Sequence, residues 1–140
     1  MNEPICVVIL AAGEGTRMKS ARPKPLHHIC GRPMVLHVLD ATSSFDDLAA
    51  TVVVVGHGAA WVEKRNSVII RRLFWRAAES TTLHFVEQHE QLGTGHAVAV
   101  AIPTVNEVLG SDDGHVLIVP GDTPLLRAAT IQSLIETHVA

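Results

Sequence analysis

Short aliphatic runs recur along the chain, with helical spacing between them. Ile5 to Leu10 contains no charged residue and gives way to Ala11, Ala12 and Gly13, the pattern of a strand buried on both faces of a parallel sheet. Thr51 to Val55, stopped by Gly56, and His115 to Val119, stopped by Pro120 and Gly121, repeat that form, while Leu83 to Glu87 alternates more and predicts a weaker strand. Helices are predicted from Met34 to about Ser43 after Pro33, from Ala59 to about Glu79 with a break near Asn66, and from His96 to Ile102, closed by Pro103. Ala128 to Ala140 is also helical in spacing but has no Gly, Asn or Pro to end it, as if the chain were cut there. Parallel strands need crossover connections, so the expectation is a three-layer α/β/α sandwich with a mostly parallel sheet and right-handed connections.

Composition narrows this to one domain: 140 residues with 47% hydrophobic and 18% charged side chains can build a single core without disulfides or a structural metal. Cys6 and Cys30 have no CxxC or CxxH partner, which excludes a zinc knuckle and points to a reducing compartment. The first apolar run is too short to span a bilayer and follows Glu3 rather than a basic segment, so a soluble, cytoplasmic protein without membrane attachment is expected. A net charge of -3 argues against a dedicated nucleic-acid binder. Its distribution is uneven, however. Between Gly15 and Leu39 stand Arg17, Lys19, Arg22, Lys24 and Arg32 with no acid among them, a segment suited to an anion.

The segment after the first strand, Leu10-Ala11-Ala12-Gly13-Glu14-Gly15-Thr16-Arg17-Met18, leads into Arg22-Pro23-Lys24-Pro25-Leu26. Small residues let a backbone turn sharply and aim its amides at phosphate oxygens, and Arg17 and Lys24 add full charges. It is not the dinucleotide fingerprint, because a third glycine is missing and Pro23 and Pro25 prevent an immediate long helix. Nor is it a Walker A loop, since Thr16 and Arg17 follow Gly15 where that motif needs Lys. Without the two cations, an ordinary strand-to-helix turn would be the better reading.

This loop resembles the signature of sugar nucleotidyltransferases. Val86 to Ala97 (Val-Glu-Gln-His-Glu-Gln-Leu-Gly-Thr-Gly-His-Ala) and Gly121-Asp122-Thr123-Pro124-Leu125-Leu126 are similar to the uridyltransferase domain of bifunctional N-acetylglucosamine-1-phosphate uridyltransferase/glucosamine-1-phosphate acetyltransferases. His37-Val38 and Val55-Gly56-His57-Gly58 fit the same family, and the resemblance covers essentially the whole chain in order. It implies the Rossmann-like nucleotide-diphospho-sugar transferase fold. By position it sets Leu10, Ala11, Ala12, Gly13 and Gly15 against a uridine nucleotide, with Lys24 at the phosphates and Arg17 assisting. Gln88 would read uracil, Gly93 and Thr94 would complete the nucleoside pocket, and the amino end of the helix from His96 would add its dipole. Taken singly, Gln88 is better read as a polar strand end.

Asp122, with Gly121 before it, follows a strand and should project at the carboxyl edge of the sheet. Alone it reads better as a turn or helix-cap residue; the resemblance reverses that and assigns it to Mg²⁺, a hard cation content with one or two carboxylates plus phosphate and water. Pro120 has no amide, so any contact there must use its carbonyl or ring. The nine histidines lack the helical pairing of zinc enzymes. Lys64, Arg65, Arg71, Arg72 and Arg76, near Trp61 and Trp75, read as the solvated face of a helix rather than a nucleic-acid surface.

The reaction implied by the resemblance is attack of N-acetylglucosamine-1-phosphate on the α-phosphorus of UTP, forming UDP-N-acetylglucosamine and pyrophosphate. The nucleophile is already ionised, so holding two anions in line and neutralising the leaving pyrophosphate is the catalytic task. In that family the sugar-binding part, a second metal ligand and a trimerising acetyltransferase β-helix lie downstream, so residues 1–140 are expected to be the nucleotide-binding part, impaired when alone. A molybdopterin nucleotidyltransferase and a non-catalytic nucleotide-binding module are the alternatives.

Overall fold

The computed structural model describes residues 3–13, 22–56, 82–110 and 113–140. Gly15, Arg17, the predicted helix from Ala59 to about Glu79 and its basic group lie outside them. Strand β1 (Ile5–Ala11) occupies the interior of a four-stranded sheet because it is apolar on both faces, and none of Cys6 to Ile9 has any exposed surface. Two short strands, β2 (His28–Ile29) and β3 (Arg32–Pro33), form a separate antiparallel hairpin. Helix α1 (Met34–Thr42) follows, then β4 (Leu48–Gly56), β5 (Leu83–Gln88), α2 (Thr94–Leu109), β6 (His115–Pro120) and α3 (Ala128–Val139).

The main sheet runs β5-β4-β1-β6, with every described neighbour pair parallel. Alternate residues divide between the faces. Val7, Ile9 and Ala11 pack with Val35, Val38 and Leu39 of α1 and Ile131 of α3, while Cys6 and Val8 pack with Ala97, Ala101 and Val105 of α2. The expected three-layer α/β/α sandwich is therefore present. Arg32 pairs with Asp40, and His37 Nε2 donates to the Ile29 carbonyl at 2.8 Å, which fastens the β2–β3 hairpin to α1.

Two boundaries differ from expectation. Helix α2 does not close at Pro103 but continues to Leu109, where Gly110 ends it in the left-handed conformation. A proline inside a helix costs about 3 kcal/mol. Burial of Val105 beyond it contributes a comparable ~1.5–3 kcal/mol, so packing carries the helix through. Strand β4 begins at Leu48 rather than Thr51, because Leu48 and Ala50 align with Ile5 and Cys6 of β1, and pairing outweighs the weak strand preference of alanine.

The order of the strands decides where a ligand can enter. β1 has β4 on one side and β6 on the other: the strand order grows outward from β1 to β4 and β5, then returns through α2 to β6 on the far side of β1, and a crevice opens at this reversal beyond the carboxyl ends of β1 and β6.

Candidate functional site

That crevice is a cleft of about 320 Å³, at the lower end of small-ligand pockets. Its floor is the end of β1: Leu10, Ala12 and Gly13 line it. The Gly121 amide donates to the Leu10 carbonyl at 2.8 Å, continuing the β1–β6 ladder past Pro120. A Cβ at position 121 would lie 3.0 Å from the Leu10 carbonyl oxygen and 3.2 Å from Ala11 Cβ, so the close approach of these strand ends favours glycine.

Lys24 reaches the cleft from a single 3₁₀ turn, Lys24–Leu26, framed by Pro23 and the buried Pro25. The prolines preset the backbone, the Leu26 amide closes on the Pro23 carbonyl at 3.0 Å, and Leu26 packs against the core, so the turn is anchored below while its lysine points out. Asp122 comes from the opposite wall, in the turn after β6. There the Thr123 hydroxyl donates to the Pro120 carbonyl at 3.0 Å. Lys24 Nζ and Asp122 Oδ2 meet at 2.7 Å, the cation and the acid of the cleft wall among the described residues.

At the other end, the cleft is built from the β5–α2 connection. Gln88 ends β5 and is 2% exposed; its Nε2 lies 3.3 Å from the Gly93 carbonyl oxygen and 2.9 Å from His96 Nδ1. Gly93 takes φ +100°, a conformation strained for any other residue, and from it the chain turns directly into α2 at Thr94. The first amides of α2 and its dipole thus face the same space as Gln88 and Thr94.

The structure brings Leu10, Ala12, Gly13, Lys24, Gln88, Gly93, Thr94 and Asp122 to one cleft. Ala11 and Gly121 stand behind its wall: Ala11 points into the core toward α1 and α3, and the Gly121 amide is engaged with Leu10. Pro120 also lines the cleft, and its carbonyl accepts from the Thr123 hydroxyl. Gln91, a motif residue to which the sequence assigns no role, donates through its Nε2 to the Ala12 carbonyl at 2.7 Å. Carbonyl and amide of one trans peptide point in opposite directions, so this bond turns the Gly13 amide away from Gln91. Its only signal in sequence is a polar residue in a strand-to-helix turn; the partner lies 79 positions away.

An open parallel sheet with a switch-point cleft, small residues on its floor and an ammonium–carboxylate pair at its mouth defines a nucleotide-binding α/β domain of the transferase kind. The sequence matches the MobA-like NTP transferase domain over residues 7–140, and the chain belongs to that family. It is 46% identical over 136 residues to the bifunctional protein GlmU of Polaromonas sp. strain JS666, a match covering 97% of this chain and 27% of the relative. The bifunctional protein GlmU of Thermobifida fusca strain YX is 45% identical over 139 residues, 99% of this chain and 26% of the relative. The chain spans about a quarter of the length of these curated relatives.

Among solved structures, 4-diphosphocytidyl-2C-methyl-D-erythritol synthase from Anaerococcus prevotii DSM 20548 superposes with a TM-score of 0.68 at 17% identity, covering 96% of this chain and 50% of that one. A UDP-glucose pyrophosphorylase complexed with UDP-glucose gives 0.63 at 17% identity, covering 100% and 55%. The fold is the nucleotide-diphospho-sugar transferase fold.

Proposed function

We propose that this chain forms the nucleotide site of a uridyltransferase that joins UTP to N-acetylglucosamine-1-phosphate, giving UDP-N-acetylglucosamine and pyrophosphate. The observation that carries this reading is the pairing of Lys24 with Asp122 at 2.7 Å across a cleft whose far end holds Gln88, Gly93 and Thr94. One end offers charge of both signs for a metal-bound triphosphate, and the other offers a polar strand end and a helix start for a base. The identity of the chain to the bifunctional GlmU relatives supports the choice of sugar nucleotide.

In this reading the amides after β1 and the Lys24 ammonium bind phosphate oxygens, and Arg17 assists. Ala12 and Gly13, beside Leu10, give the nucleotide a surface that lets it approach the backbone, backed by Ala11 and Gly121, and Gly15 is assigned to the same nucleotide. Gln88 faces uracil, with Gly93 and Thr94 beside the nucleoside. Asp122 fits a divalent ion, Mg²⁺ in this proposal, because a hard cation there needs one carboxylate oxygen while phosphate and water complete its shell. Such an ion would supply charge neutralisation on the pyrophosphate. The chain's own part is to bind, orient and shield: the sugar phosphate is already an anion, so no residue need remove a proton from it. Sugar-phosphate contacts and homotrimer formation belong, in this proposal, to parts of the longer relatives that this chain does not match, and the setting is the cytoplasm.

The test is calorimetric titration with UTP, CTP and GTP, with and without Mg²⁺, beside a pyrophosphate-release assay containing N-acetylglucosamine-1-phosphate. Metal-dependent binding that favours UTP is expected. Preference for GTP would replace the reading with a molybdopterin-type nucleotidyltransferase, and absence of nucleotide binding would end it.

A further inference from the structure

The Gln88 side chain is buried at the end of β5 with its Nε2 3.3 Å from the Gly93 carbonyl oxygen and 2.9 Å from His96 Nδ1. A carbonyl oxygen only accepts, so the edge of the amide facing Gly93 is its NH₂; turned over, Oε1 would lie against another acceptor. With Nε2 donating, His96 Nδ1 is the acceptor, which leaves the ring proton on its own Nε2. Both amide hydrogens are then used within the protein. What Gln88 has left for a ligand in the cleft is Oε1, an acceptor.

We propose that His96 is a positioning residue for base selection: as an acceptor it fixes the orientation of the Gln88 amide, so that the pocket favours a pyrimidine with N–H at ring position 3. This rests on the uridine-nucleotide reading above. Uracil has a donor at that position and cytosine a lone pair. Against the Oε1 of the buried Gln88, cytosine would leave two acceptors facing each other, the arrangement by which hydrogen-bonding pockets reject near-isosteres most strongly. His96 stands in the first turn of α2, whose Ala97 and Ala101 are packed on the sheet, so its ring is carried on a rigid element. A donor-only side chain there would attract Oε1 and oppose the Gly93 bond.

Two measurements decide it. A nitrogen–proton correlation spectrum of the imidazoles in the nucleotide-free chain should show His96 with Nδ1 unprotonated and Nε2 protonated; a proton on Nδ1 overturns the proposal. Titration of the parent, His96→Ala and His96→Asn chains with UTP and CTP reads the consequence. His96→Ala should lower the UTP-to-CTP affinity ratio about tenfold, whereas His96→Asn, which keeps an acceptor at the δ position, should hold it within about threefold of the parent. An unchanged ratio in His96→Ala, or equal losses in both variants, overturns the assignment. Failure of all three chains to bind either nucleotide would count against the uridine reading itself, while the spectrum still decides the state of His96 on its own.

Discussion

Lys24 Nζ lies 2.7 Å from Asp122 Oδ2, so the turn after β1 and the turn after β6 are joined by an ion pair across the mouth of the cleft. Both side chains remain in contact with solvent, 45% and 30% exposed, and such a pair contributes no more than about 1 kcal/mol to stability. Its consequence is functional. A cation bound by Asp122 must displace or share with Lys24, and a phosphate that draws Lys24 away frees the carboxylate. Nucleotide and divalent ion should therefore bind with positive coupling. Lys24→Met should weaken UTP binding by about 10–100-fold and strengthen binding of the ion alone, with stability changed by less than about 1 kcal/mol. Calorimetry with each ligand separately and together reads all of these, and ion affinity unchanged in Lys24→Met would refute the competition.

Gln91 should act on the phosphates without touching them. Removal of its bond to the Ala12 carbonyl in Gln91→Leu releases the peptide that orients the Gly13 amide. UTP affinity is expected to fall by about tenfold, roughly one hydrogen bond's worth, while the UTP-to-CTP ratio stays constant. A change in the ratio instead would move Gln91 from the phosphate loop to the base.

Gly121→Ala tests how closely the strand ends approach. The added methyl meets the Leu10 carbonyl oxygen at 3.0 Å and Ala11 Cβ at 3.2 Å, the first a backbone atom and the second part of the core, so the neighbours have little room to give. A loss of about 1–3 kcal/mol in denaturant unfolding is expected. Full stability in this variant would mean that β6 can shift outward at its carboxyl end.

Pro103→Ala should stabilise the chain. The proline is exposed within α2 and lacks the amide that would bond one turn back, so alanine restores a hydrogen bond at a position that makes no core contact. Part of the roughly 3 kcal/mol intrinsic gain is offset by the greater freedom of the unfolded chain. A rise of several degrees in Tm, with nucleotide binding unaltered, is the expected outcome.

Burial pushes the Cys6 thiol up to about 11 from its ordinary 9.0. The folded chain therefore holds this proton more tightly than the unfolded one. Its contribution is fully present below pH 9.0 and is lost as pH rises toward 11, on the order of 3 kcal/mol across that window. Unfolding curves between those pH values should fall less steeply in Cys6→Ala than in the parent. A thiol reagent at neutral pH should modify the exposed Cys30 and spare Cys6.

Much of this architecture is legible in local sequence. Ile5 to Leu10 is short, β-branched and without alternation, as a strand covered on both faces requires, and the position of Asp122 just after a strand sets it at the carboxyl edge of the sheet. The failures have a common cause. Pro103 carries a strong local signal to stop, and the extension of α2 past it depends on where Ala101 and Val105 meet the sheet. The β2–β3 hairpin, two residues to a strand, is held by Arg32–Asp40 and His37 contacts with α1 and has no periodicity to read.

The sequence alone determined the strand cores, the alternation of strand and helix, and the residue types suited to a nucleotide, because each depends on side-chain chemistry within a few positions. Only the tertiary structure decided that Lys24 meets Asp122, that Gln91 holds the Ala12 carbonyl and that His96 meets the Gln88 amide. The first two join segments distant in the chain, brought together by the strand order β5-β4-β1-β6; the third depends on a tight turn at Gly93, whose positive φ no local pattern specifies.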